Sequence, residues 1–336
     1  MLLNDQQIKA MTKGAARIEK ENGSYRFLRF TEAEQETYRN HPRKPSFYNA
    51  TFQAASIRWA FRTDSDRIEF DFSNDVEGNN ASLTFDVYEN GALCKSVDLN
   101  FQYTPKGHLQ IALSGEEKLV EIYFPYNARL TVANVALAEG STFEPANRKY
   151  KMLTYGDSLT HGGAASHPSF SYAPRLAAML NADIISKAVA GEHFYPPLIC
   201  EKTAEEPDWI TVAYGTNDWK HCTKEEFDQN CTAVLQGLTD FYPNTPILVF
   251  SPAWRADLNL DTPFGAPATE IYTQICKNAE AFENVSVING WDLLPHSIDY
   301  FGDKRLHPND LGFAIYASNL YREVLPILQE KIGYQK

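Results

Sequence analysis

Hydrophobic positions along the chain keep two different rhythms. From Ser24 to Leu137 they recur at every second residue: Ile57, Trp59 and Phe61 alternate with Arg58 and Arg62, Ile68, Phe70 and Phe72 with Glu69 and Asp71, and Leu83, Phe85 and Val87 with Thr84 and Asp86. Strict alternation predicts half-buried antiparallel strands. Asn90-Gly91, within Glu89-Asn90-Gly91-Ala92, is a strong hairpin signal. Further runs at Leu109 to Leu113, Leu119 to Phe124 and Leu130 to Leu137 bring the expected count to about seven or eight short strands, enough for a sandwich or jelly roll. Residues 1 to 22, with Lys9, Lys13, Arg17 and Lys20 among alanines and polar residues, are read as a short helix or a loose arm.

After Tyr150 the rhythm changes. Expected strands at Met152 to Gly156, Asp183 to Val189, Trp209 to Gly215, Pro246 to Ser251 and Val285 to Asn289 alternate with helical stretches. The helices are expected at Tyr172 to Leu180, Lys224 to Phe241, Ala268 to Phe282 and Asp310 to Leu328. Strands separated by helices of this length form βαβ units with a parallel sheet and right-handed crossovers. The turn-rich stretch Gly140 to Asn147 is the expected linker. The division is an all-β domain over residues 1–146 and an α/β domain over residues 147–336.

Composition narrows the partners. A net charge of −12 argues against nucleic acid or an anionic membrane, both of which need a basic face. No apolar run approaches the roughly 20 residues that span a bilayer. The start shows no charged leader before an apolar core, and the five cysteines are odd in number without CxxC spacing. These features lead to the expectation of reduced thiols and a cytoplasmic location. The oligomeric state is left open.

Polar clusters follow the expected parallel strands: Gly156-Asp157-Ser158, Ala190-Gly191-Glu192, Gly215-Thr216-Asn217-Asp218 and Ser251-Pro252-Ala253-Trp254-Arg255. Parallel strands point the same way, so the clusters converge on one edge of the sheet, where ligands of open α/β sheets bind. A fifth cluster, Gly302 to Asp310, precedes the last helix, with Asn309 or Asp310 as its N-cap. This set suits acyl transfer. Ser158 is the candidate nucleophile, His307 its base and Asp303 the group that orients the imidazole. The oxyanion donors are the backbone N–H groups of Ser158 and Gly191 and the side-chain amide of Asn217.

Gly156-Asp157-Ser158-Leu159, the glycine at 191, Gly215-Thr216-Asn217-Asp218 and His307-Pro308 stand in the order that resembles the SGNH hydrolases, the GDSL esterase/lipase superfamily. The resemblance covers about residues 150 to 330 and implies a flavodoxin-like sheet of five parallel strands, a serine nucleophile and an oxyanion hole built from serine, glycine and asparagine. With the β domain ahead of it, the chain is similar to the two-domain carbohydrate esterases of that superfamily, in which a jelly roll precedes the hydrolase and which remove acetyl groups from sugars. Gly156-x-Ser158-x-Thr160 lacks the second glycine of a nucleophile elbow, which argues against the α/β-hydrolase fold. One position departs from the family pattern: three residues before His307, where the family usually places aspartate, stands Lys304. The alternatives are that Asp303 reaches the ring from four residues away, that a backbone carbonyl orients it, or that Asp299 substitutes. The need for an oriented base favours Asp303.

Several residues carry a plainer reading beside the functional one. Trp59, Phe70, Phe85, Tyr103, Tyr123 and Tyr126 could form a sugar platform, but alternating aromatics favour core packing. Trp254 and Arg255 are candidate substrate-binding residues, or else a ring packed under its loop and a guanidinium paired with a carboxylate. Asp157 and Asp218 are read as loop-shaping acceptors, and Cys222 and Cys231 as structural. His161 and His193 fit no metal-ligand pattern. The expected function is hydrolysis of small acyl esters, acetylated saccharides in particular, without metal or organic cofactor. The alternatives are a lipase or thioesterase for longer chains, or a carbohydrate-binding protein with a weakened site.

Overall fold

The computed structural model describes residues 1–74, 82–100 and 106–336, so Tyr103 lies outside the described residues. The chain divides into two packed units, neither of which is one continuous stretch. The first comprises Met1–Thr31, Asn49–Arg148 and His167–Ser169; the second comprises Glu32–Tyr48, Lys149–Ser166 and Phe170–Lys336. Residues 32–48, which fall inside the period-two region of the sequence, thus belong with the α/β unit.

The first unit contains helix α1 (Asp5–Met11) and two antiparallel sheets. Its strands are β1 (Thr12–Lys13), β2 (Arg17–Glu21), β3 (Ser24–Leu28), β4 (Arg58–Thr63), β5 (Arg67–Asn74), β6 (Ser82–Glu89), β7 (Ala92–Asn100), β8 (Lys106–Ala112), β9 (Lys118–Tyr123), β10 (Leu130–Leu137) and β11 (Glu144–Pro145). One sheet runs β1-β4-β9-β6-β7 with β11 on β4, the other β2-β3-β10-β5-β8. Asn90 and Gly91, at φ 50° and 82°, close the β6–β7 hairpin with two left-handed residues, a turn whose twist suits the strands it joins. The alternating aromatics turn inward. Trp59 packs on Phe70 and Phe124 at ring-centroid distances of 5.2 and 4.9 Å, and Phe85 meets Phe70 and Phe124 at 5.7 and 5.5 Å. Trp59, Phe70 and Phe85 are fully buried core, Tyr123 is buried and Tyr126 is half-buried.

The second unit is a five-stranded parallel sheet of β12 (Tyr150–Gly156), β13 (Ala182–Ser186), β14 (Trp209–Ala213), β15 (Ile247–Phe250) and β16 (Val285–Ile288), in the order β13-β12-β14-β15-β16. Helices α5 (Tyr172–Met179), α7 (Lys224–Phe241), α8 (Glu270–Ala279) and α9 (Asp310–Ile332) follow the expected positions, with α4 (Ser158–His161) and α6 (Thr216–His221) as short turns at strand ends. Helix α7 starts where the sequence demands, because Thr223 caps the Glu226 N–H and Glu226 returns the bond. Trp209, Leu248 and Phe250 pack with α5 and α9 residues such as Leu176, Phe313 and Leu320. The expected strand Asp183 to Val189 ends earlier, at Ser186. Beyond it the Lys187 and Val189 N–H groups still bond β12 carbonyls, but the chain turns toward Gly191. This order is the doubly wound one whose switch point lies between β12 and β14, the two strands that lead to Ser158 and Asn217.

Residues 32–48 contribute α2 (Glu32–Arg39), the loop after it and the first residues of α3 (Phe47–Ala50) to this unit. Their anchor is a buried ion pair between Glu34 and Lys187, both almost without solvent exposure. Breaking a buried pair leaves an uncompensated charge, at a cost of about 3–5 kcal/mol. Glu34→Gln is therefore expected to destabilise the protein by about that amount in urea unfolding, and Glu34→Leu with Lys187→Met to recover most of it. Single and double variants of equal stability would contradict this account.

Candidate active site

Ser158 opens α4 directly after β12. Asp157 caps the turn by accepting the Leu159 N–H at 3.0 Å, which leaves the Ser158 N–H at the helix start without an intrahelical acceptor. The turn is tight: a Cβ on Gly156 would stand 2.1 Å from Thr160 Oγ1. His307 arrives from the loop between β16 and α9, which is closed by the Phe301–Pro308 bridge and the Gly302 N–H on the His307 carbonyl. Its Nε2 lies 2.8 Å from Ser158 Oγ, and its Nδ1 lies 2.8 Å from Asp303 Oδ2.

Asp303 thus reaches the ring from four residues away. Lys304 makes this possible by taking a left-handed conformation, φ 57°, which folds the extra residue out of the loop. Oδ1 of Asp303 accepts the N–H groups of Arg305, Leu306 and His307 at 2.9, 2.8 and 3.1 Å. Burial alone would push this carboxyl up, but the Leu306 N–H, the His307 ring and the other two N–H groups hold it at about 2. Asn309, not Asp310, caps α9, and Asp310 accepts the Ser166 N–H instead.

Gly191 follows the turn after β13 at φ 92°, a conformation that favours glycine. Asn217 lies in the first turn of α6, after Gly215 at φ 117°. An amide NH₂ carries two donors. One Asn217 N–H bonds the Glu192 carbonyl at 2.9 Å, which ties the side chain to the Gly191 loop, and the amide also donates to Asp157 Oδ2 at 3.5 Å, in the Ser158 turn. Glu192 is itself anchored: its Oε1 accepts the His193 N–H at 2.9 Å and lies 3.4 Å from Nε2 of His41. Burial opposes its charge, yet His193 and His41 hold its carboxyl below the ordinary range.

Arg255 is not at a substrate surface. It is 1% exposed, and it grips Asp257 through Nε and Nη2 at 2.6 and 2.9 Å. Its Nη1 donates to the Thr216 carbonyl and hydroxyl at 3.0 Å, and its guanidinium lies over the Trp219 ring. Of the two readings of Arg255, this geometry fits the guanidinium paired with a carboxylate, since its polar atoms are bonded inside the protein. Asp257 is shared with Arg305 at 3.4 Å, so this chain of charges links the residue before Asn217 to the loop that carries Asp303. Trp254 stacks on His296, with centroids 5.3 Å apart, and touches Phe301, which places it under the His307 loop.

Sequence reasoning passed over His41, Asp257, Arg305 and Gly163. A Cβ on Gly163 would come within 3.2 Å of His307 Cδ2 and 3.1 Å of the Ser158 carbonyl, so the glycine lets the imidazole lie close. The Gly162-Gly163 pair after the serine motif was its visible signal. His41 had none, because its partner Glu192 is distant in sequence. His161 is buried with Nδ1 3.4 Å from the Ala188 carbonyl, and His193 is buried beside His221. Cys222 and Cys231 are buried, and burial pushes both thiols up, Cys222 to about 12.

Two buried acids lie under the motif turns. Burial pushes Asp157 up to about 7 against the pull of the Leu159 N–H, and pushes Asp218 up to about 6 against His193 and the N–H groups of Phe194 and Gly215. In the unfolded chain an aspartate ionises near 3.9. The contribution of Asp157 to stability is therefore full below about pH 4 and lost as pH rises through about 7. Asp157→Asn is expected to fall less in melting temperature between pH 4 and 7 than the parent protein in calorimetry. Parallel curves would contradict it.

Residues 154–315 match the GDSL-like lipase/acylhydrolase family. No curated protein sequence matches the chain significantly. Among solved structures, the chain is similar to the salicylyl-acyltransferase SsfX3 from a tetracycline biosynthetic pathway, at TM-score 0.79 and 22% identity over 96% of each chain. A putative GDSL-like lipase from Bacteroides ovatus ATCC 8483 superposes at TM-score 0.77 and 18% identity, covering 100% of this chain and 98% of that one. A family two carbohydrate esterase from Cellvibrio japonicus superposes at 0.68 and 15%, covering 95% and 96%. The fold, including the β unit ahead of the parallel sheet, is shared across these proteins. Residues 154–315 accordingly carry a GDSL-like lipase/acylhydrolase domain.

Proposed function

We propose that the protein is a serine esterase for small acyl esters, acetyl esters of saccharides in particular. The observation that carries this reading is the continuous relay Ser158 Oγ, His307 Nε2, His307 Nδ1, Asp303, with 2.8 Å at both junctions. Ser158 Oγ attacks the ester carbonyl while His307 Nε2 takes its proton, and the Asp303 carboxylate stabilises the imidazolium. The oxyanion is received by the N–H groups of Ser158 and Gly191 and by the Asn217 N–H that makes only the long 3.5 Å contact with Asp157 Oδ2. His307 then gives the proton to the departing alcohol, and draws one from the water that releases the acid. Every proton moves through a side chain of this protein, so the cycle calls on no metal or organic cofactor.

A cavity of about 20 Å³ lies beside the Ser158 turn, lined by Asp157 and Leu159 and by Thr216, Ala253 and Leu306. The saccharide assignment is supported by the two-domain likeness to family two carbohydrate esterases. Transfer of the acyl group to an alcohol other than water is a second reading, supported by the likeness to an acyltransferase; acyl-enzyme and oxyanion hole would serve both. Among the described residues no helix is long and apolar enough to cross a membrane, and five free thiols suit a reducing compartment such as cytoplasm.

The tests are direct. Ser158→Ala should abolish hydrolysis of p-nitrophenyl acetate, and the parent protein should lose activity steeply as the acyl chain lengthens. Equal rates for parent and variant would overturn the nucleophile assignment, and preference for long chains would overturn the acetyl assignment. Asn217→Ala should lower kcat by about 10²–10³ with the fold intact by circular dichroism. Arg255→Lys, which cannot reproduce the forked grip on Asp257 and Thr216, should lower kcat with little change in KM. A KM effect alone would show that Arg255 acts on the substrate instead.

A further inference from the structure

Resting on the esterase reading of Ser158, we infer that the site takes esters whose alcohol part carries a carboxylate close to the scissile bond, recognised by a cationic cluster beside the oxyanion donors. The cluster comes from two directions. Helix α6 presents Lys220 and His221 three and four positions after Asn217, so they ride on the helix face that carries the oxyanion amide. The loop after α2 brings Arg43 and Lys44 from the other side. Arg43 Nη1 donates to the His221 carbonyl at 3.1 Å, and Lys44 Nζ lies 3.9 Å from the point a Cβ on Gly191 would occupy.

Only part of the charge in this cluster is met by a carboxylate, and Lys44 Nζ lies over the Phe47 ring. Arg43 meets Glu226 at 3.3 Å, and Glu192 is buried between His41 and His193. Lys44 and Lys220 have no carboxylate within salt-bridge distance among the described residues. Burial first, and then His193, Lys220, Arg43 and Arg255, lower the proton affinity of His221. In a protein of net charge −12, such a concentration costs repulsion unless an anion relieves it. The available donors are ammonium groups, since the one guanidinium is held by Glu226. An ammonium binds carboxylate and phosphate alike as a point charge, and the saccharide reading selects the carboxylate, the anion that a sugar acid carries on its own ring. An acetylated uronate presents a carboxylate on the same sugar ring as the ester, which is the geometry the cluster would meet.

The experiment compares O-acetylated galacturonate oligosaccharides with O-acetylated xylo-oligosaccharides. The parent protein should show at least tenfold higher kcat/KM on the uronate, through KM, with the advantage shrinking as salt rises to 0.5 M. Lys44→Met with Lys220→Met should remove that advantage while leaving p-nitrophenyl acetate hydrolysis within about twofold. Equal parent rates on the two oligosaccharides, or equal losses on charged and neutral esters in the variant, would overturn the inference. Calorimetry on Ser158→Ala separates this from failure of the esterase reading. If galacturonate binding there is weakened by the two lysine substitutions, the cluster stands whatever the catalytic result; if it is unchanged, the cluster inference falls.

Discussion

A serine hydroxyl and an imidazole 149 residues apart in the chain come within 2.8 Å, and the functional half of the molecule is arranged around keeping them there. Neither group is useful alone: the hydroxyl needs a proton acceptor, and the ring needs one tautomer and one orientation. The parallel sheet supplies the meeting place, because β12 and β14 end at the same edge and the loop after β16 returns to it. Asp303 supplies the orientation. Its second oxygen gathers three backbone N–H groups, so the carboxylate that holds the ring also shapes the loop that carries it.

Beneath that contact lies a layer of polar side chains turned inward. Arg255 spends its guanidinium on Asp257 and Thr216, and Glu192 lends its carbonyl to Asn217 while its carboxylate meets His41 and His193. Asp157 and Asp218 are held at a cost that burial makes visible in their raised proton affinities. Such groups are poor contributors to stability, and what they fix is geometry, because a buried charged group has few positions in which its partners reach it. The segment 32–48 is part of the same layer. Glu34 anchors it to Lys187, and from there it brings His41 to Glu192 and Lys44 to Gly191.

Much of this was legible in the residue order. Alternation at Trp59, Phe70 and Phe85 announced a strand core, the Asn309-Asp310 pair announced the start of α9, and Asn90-Gly91 announced a hairpin. These are local signals, because a pleat has period two, a helix cap needs an acceptor three residues ahead, and a tight hairpin needs left-handed residues. The helix at residues 32–39 escaped, since its buried side is made by Glu34, Gln35 and Tyr38 and carries no apolar stripe. Arg255 carried two readings, toward a substrate or paired with a carboxylate, and its partners, Thr216 and Asp257, are supplied by the fold.

By itself the sequence determined the two rhythms, the strand-end clusters and the identity of the groups able to do acyl chemistry. Short-range periodicity and residue chemistry are properties of the chain before it folds. The tertiary structure decided which of those groups meet. It brought Asp303 to His307 by placing Lys304 at φ 57°, turned Arg255 inward, and carried residues 32–48 across to the hydrolase unit. Each of those outcomes depends on one backbone torsion or on a partner far away in the chain. Hydrogen bonds and ion pairs act over a few ångströms of space, and sequence separation does not measure that distance.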